Sequence, residues 1–174
     1  MTLNEFKELI AREILSKIKG KRVLKYALFM FLALITQNML FTQLRPAGVC
    51  PMILPAVAVA VGMFEGASWG AVFSLIMGVF ADMAYVENTV MFTLLFPALA
   101  FASGFISTFF INRRFFAFMG AALMGLLITA LVQMLHTAAG DSFSSGMLRV
   151  VALQTLWSLP FSILAYLPPA KWIE

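Results

Sequence analysis

Asp82 is the residue of this chain best placed to do chemistry. It ends a run of small residues at four-residue spacing: Gly66, Gly70, Ser74, Gly78, then Asp82. On a helix, positions four apart share one face. The segment that carries them, Ala67 to Tyr85, is otherwise apolar. In lipid, small-residue faces let two helix backbones approach closely. A carboxylate at the end of such a groove is costly to expose to hydrocarbon, so it faces protein or water. Two roles stay open for it. It is a structural acceptor for the backbone or for Ser and Gln side chains of a neighbouring helix, or it is a contact for a ligand or partner. Thr36, Gln37, Asn38 and Gln43 are its natural neighbours, with Gln133, His136 and Gln154 behind them.

A catalytic set is hard to assemble around it. The chain has one histidine, His136, and one cysteine, Cys50. Neither sits in an HExxH or CxxC pattern, so a metal site lacks ligands. There is no GxSxG elbow and no Walker loop. An intramembrane aspartate pair needs a second embedded Asp, and Asp141 falls in a loop. Cys50 cannot form an intrachain disulfide and reads as a small apolar residue near a helix start. No catalytic residue, metal or cofactor is expected.

Composition explains the shortage. Of 174 residues, 62% are hydrophobic and 11% charged, and the mean hydropathy is +0.95. A soluble domain is about half apolar and about a quarter charged. The chain is therefore expected to be an all-α integral membrane protein. A net charge of +4 alone would suit nucleic acid, but seven of the twelve Lys and Arg lie in the first 25 residues. That clustering is a membrane-surface and topology signal. No cleavable signal peptide is expected, because the charged first 22 residues precede an apolar run long enough to stay as a span.

The elements that must position Asp82 follow from hydropathy. Residues 3–19 read as an amphipathic helix, with Leu3, Phe6, Ile10, Ile14 and Ile18 at helical spacing. Such a helix lies on a lipid surface, docks a cytosolic partner or forms a merely solvated arm. Six apolar stretches come next: Val23–Gln43, Val49–Phe64, Ala67–Tyr85, Val90–Ile111, Phe115–His136 and Met147–Pro168. The second is short and carries Pro51 and Pro55, which makes it kinked or partly re-entrant. Only Glu65-Gly66 separates it from the third, which demands a tight hairpin. The predicted organisation is a cytoplasmic basic arm (1–22), a membrane domain of six transmembrane helices (23–168) and a short cytoplasmic tail (169–174). Five spans are the main alternative. With six spans and the N-terminus inside, ten Lys and Arg lie inside and only Arg45 and Arg149 outside, as the positive-inside rule requires. Asp82 then lies toward the outer side.

The pattern resembles the rod-shape-determining MreD family of small bacterial membrane proteins. The resemblance runs from Gln37 in span one to Pro51 opening span two. It continues through Gly66, Gly70, Gly78 and Asp82 to Gly104 in span four, about residues 30–110. It implies a non-enzymatic scaffold in the bacterial cytoplasmic membrane, supporting cell shape and lateral peptidoglycan synthesis. The implied partners are an MreC-like single-span protein, the actin-like MreB, a SEDS glycosyltransferase and a class B penicillin-binding protein, besides membrane lipids. The family's fold is similar to the substrate-capture subunits of energy-coupling-factor vitamin transporters, which makes such a subunit the alternative. The first span lacks an Ala-xxx-Ala docking motif and the outer loops offer few ligating groups, which favours the scaffold.

Overall fold

Runs of apolar residues longer than a helical turn, broken by Gly, Pro and short polar links, leave helix as the only regular structure that satisfies its backbone in lipid. The computed structural model describes residues 20–44, 48–84, 90–109, 115–140 and 144–173. Every regular element among them is helical: α1 (Gly20–Ile35), continued by a π-helical turn (Thr36–Phe41), α2 (Leu54–Glu65), α3 (Ala67–Ala84), α4 (Met91–Phe109), α5 (Phe115–Gly140) and α6 (Ser145–Ile173). Among the described residues, four helical stretches are long and apolar enough to cross a membrane: Val23–Phe41, Ala67–Ala84, Phe115–Ala139 and Gly146–Pro169. Leu54–Glu65 and Met91–Ser107 are shorter apolar helices. The chain is thus a multi-pass membrane protein, all-helical in its regular structure among the described residues. The amphipathic helix expected over residues 3–19 lies outside the described residues, as do Arg45, Glu87, Arg113, Arg114 and Asp141.

The chain divides into two compact units, Met1–Leu32 and Ala33–Glu174. In the first, Gly20–Leu32 is continuous helix, with Leu24, Leu28, Phe31 and Leu32 exposed. The second is built around α2, which packs against α3, α4, α5 and α6. Every residue of α2 from Leu54 to Phe64 is buried. Pro55 fits its first turn, where a missing N–H is harmless. Large apolar side chains on the outer helices, such as Val72, Phe80, Phe105, Leu156 and Leu164, are exposed, as a lipid solvent permits.

Contacts fix the helix directions. Ser103 Oγ of α4 donates to Val59 O of α2, and Ser107 Oγ to Met63 O. The two helices therefore run parallel. Tyr166 of α6 stacks edge-on against Phe64, while Ser158 reaches Met52, so α6 runs parallel to α2 as well. α3 returns antiparallel through the hairpin at Gly66. The last helix runs to Ile173, so the expected tail at 169–174 begins inside it.

Candidate functional site

The four-residue ladder is a hairpin device rather than a single helix face. Gly66 was expected on the groove of the third span. It instead ends α2 with φ 98° and ψ 165°, a region open essentially only to glycine. A Cβ there would meet nothing within 4 Å, so Gly66 serves to turn the chain rather than to admit a neighbouring backbone on its Cβ side. The turn makes residues equally far on either side face each other, and Gly62 comes opposite Gly70. A Cβ on Gly70 would collide with Gly62 Cα and lie 2.9 Å from Gly62 N. A Cβ on Gly62 would collide with the Ala100 carbonyl and lie 2.6 Å from Ser103 Oγ. Gly104 sits equally close to Ala67, where a Cβ would lie 2.5 Å from the backbone nitrogen. Three backbones, of α2, α3 and α4, meet at Gly62, Gly70 and Gly104. Gly62 lies four residues before Gly66 but on the far side of the turn, outside the spacing that marks the third span.

Two turns along α3 the same logic serves the carboxylate. A Cβ on Gly78 would lie 2.5 Å from Phe92 O and 2.8 Å from Thr93 Cα. The start of α4 therefore lies directly on α3. One turn later Asp82, buried at 9% exposure, receives that start. Its Oδ1 accepts the Phe92 N–H at 3.0 Å, and its Oδ2 accepts the Thr93 N–H at 2.7 Å and the Thr93 hydroxyl at 2.6 Å. The first N–H groups of a helix have no partner of their own, and the helix dipole favours negative charge there. Asp82 stands in the last turn of α3, where its own helix dipole is unfavourable. The N-terminus of α4 offsets that. Of the two roles open to Asp82, its contacts are those of the structural one. Its oxygens are met by Phe92 and Thr93, and not by the Gln37 amide expected beside it, which is bonded to Pro51 and Ile53.

Gln37 is used elsewhere. Its Nε2 donates to Pro51 O at 3.1 Å and its Oε1 accepts the Ile53 N–H at 2.8 Å. Between them, Met52 N–H donates to Ser158 Oγ at 2.8 Å, and that hydroxyl donates to Gln154 O. These bonds serve a non-helical stretch, Val49–Ile53, buried except for the half-exposed Cys50, that leads into α2. The need for it is geometric. From the Gly62–Gly70 contact, α3 continues to Ala84 but α2 reaches only Leu54, so α2 begins about 9 Å short of the end of α3. The non-helical stretch fills that height. Irregular backbone at membrane depth is tolerated only where protein satisfies it, and Gln37 and Ser158 do so from two sides. Pro51, the other span-two candidate, supplies the carbonyl that Gln37 holds.

Ser74 is wholly buried between Gly70 and Gly78, and its hydroxyl has no partner. Among the described residues, Thr155 Oγ1 is the other buried hydroxyl in that state. Among the described residues, no three His, Cys, Asp or Glu gather to hold a metal. No protein family, no curated protein and no solved structure matches the chain.

Proposed function

We propose that the protein is a non-enzymatic membrane scaffold that works by binding other membrane proteins. The observation that carries this is the use made of its polar groups. The carboxylate best placed for chemistry is spent on capping a helix, and the Gln37 amide on holding buried backbone. The molecule invests its embedded polar side chains in helix-to-helix geometry and presents broad apolar faces outward. By resemblance, the assembly is the bacterial elongation complex, with an MreC-like protein, MreB, a SEDS glycosyltransferase and a class B penicillin-binding protein as partners. The proposed setting is the cytoplasmic membrane, with six crossings and both termini inside.

The second crossing in this reading is the non-helical Val49–Ile53 followed by α2, and the fourth is α4. The parallel course of α2, α4 and α6 supports counting α2 and α4 as crossings of their own, and the ten-to-two distribution of Lys and Arg supports the orientation. Depletion tests the function against its rival. The scaffold reading expects wider cells and weakened lateral wall insertion with vitamin uptake intact. Normal width with collapsed uptake of one vitamin would favour a transporter subunit.

A further inference from the structure

The helix that carries Gln37 is not uniform. At Thr36 α1 passes into a π-helical turn that ends at Phe41. Such turns are rare and occur mostly as single bulges within α-helices, often where something functional is held. The buried residues of this one are Gln37 and Phe41, while Met39 and Leu40 between them are exposed. Both buried residues are engaged. The Gln37 amide holds Pro51 O and the Ile53 N–H. The Phe41 ring stands edge-on to Phe161 of α6, with centroids 4.7 Å apart.

Helix geometry links the two contacts. An α-helix advances about 100° per residue, so a four-residue step overshoots a full turn by about 40°. Ala33, Gln37 and Phe41 are four apart and all buried. Two α-helical steps would leave Phe41 about 80° off the face of Ala33. A π turn holds about 4.4 residues, so its four-residue step falls about 30° short of a full turn. The two drifts cancel, and the three side chains face one way. With Gln37 in place and the turn α-helical, Phe41 would swing about 70° around the helix axis and leave Phe161. Local preference and tertiary contact therefore oppose each other. The backbone alone favours the α turn; the amide clip and the ring contact hold the π turn.

We propose that the Gln37 clip and the π turn form one two-state latch. With the amide on Pro51 and Ile53, the turn is π and Phe41 lies on Phe161. With the amide released, the turn relaxes to α and Phe41 rotates off α6. The latch joins the end of α1 to the stretch that enters α2, the helix around which the bundle is built, and it does not depend on the scaffold reading. Spin labels at the exposed Leu40 and Leu164, in the full chain with Cys50→Ala, read its state as a distance in lipid bilayers. Gln37→Leu should move that distance by about 5 Å, or split it into two populations, because the label is carried about 70° around the helix. Ser158→Ala frees the Met52 N–H of the same stretch but keeps the Gln37 clip, and should leave the distance as in wild type. Deleting Met39 removes the extra residue that the π turn takes up, and in that shortened chain Gln37→Leu should no longer move the distance. If Gln37→Leu inserts poorly, Gln37→Met provides the same comparison. A Gln37→Leu distance equal to that of wild type would overturn the latch. The same displacement in Ser158→Ala, or on adding Gln37→Leu to the shortened chain, would trace the movement to the loosened stretch instead of the turn, and would also overturn it.

Discussion

Both oxygens of Asp82 act as acceptors for the start of α4, and Oδ2 alone takes the N–H and the hydroxyl of Thr93 at 2.7 and 2.6 Å. Asp82→Asn therefore cannot be silent. The amide has one acceptor, and its NH2 must face an N–H group of α4. Asp82→Ala loses both acceptors. The expected destabilisation is about 1 kcal/mol for Asn and about 2 kcal/mol for Ala, the range of helix caps. Thermal unfolding of the purified chain in detergent checks the order. Equal stability of all three proteins would mean that the cap carries no weight.

The glycines should separate by role. Gly62→Ala and Gly70→Ala each insert a Cβ into a facing backbone, and an overpacked site typically costs about 1–3 kcal/mol. Gly66→Ala should also destabilise, by about 1–3 kcal/mol, through backbone strain alone. Gly120→Ala, where a Cβ meets nothing within 4 Å, should leave the melting temperature unchanged. A Gly62→Ala protein as stable as Gly120→Ala would refute the close approach of α2, α3 and α4.

Gln37→Leu should cost more than Ser158→Ala. The first orphans the Ile53 N–H and the Pro51 carbonyl together; the second orphans only the Met52 N–H. Polar contacts in membrane bundles are worth about 0.5–2 kcal/mol each. Hydrogen exchange should quicken at Met52 and Ile53 in both variants. Unchanged exchange at these two amides would remove the side-chain clip as the reason for the non-helical stretch.

Topology is open to labelling. In a Cys50→Ala background, a cysteine at the exposed Ser144 should react with a membrane-impermeant reagent from outside. Reaction only from the cytoplasmic side would invert the orientation.

Much of this fold was legible in the sequence, but unevenly. Hydropathy marked the apolar segments, and Gly-Pro punctuation placed the turn at Gly66 and the irregular start of span two. The importance of Gly70, Gly78 and Asp82 showed as a spacing. Their function did not, because spacing along one chain says nothing of what lies across from it. Gly62 belonged to the same ladder but stood beyond a turn. Thr93 and Ser158 carry no pattern at all, since a lone hydroxyl in an apolar helix gains meaning only from the backbone group it meets. Gln37 stands out as an embedded amide, but its partners, Pro51 O and the Ile53 N–H, carry no sequence mark for the same reason.

The central claim is that the chain acts by assembling other membrane proteins. Affinity purification of the tagged wild-type chain from its native membrane, with quantitative identification of what accompanies it, tests this most directly. The account expects near-stoichiometric recovery of a single-span coiled-coil protein together with wall-synthesis enzymes. It also expects that recovery to fall in Gly70→Leu, whose overpacked hairpin alters the scaffold. Recovery of the chain with a pair of ATPases, or reproducibly alone, would contradict it.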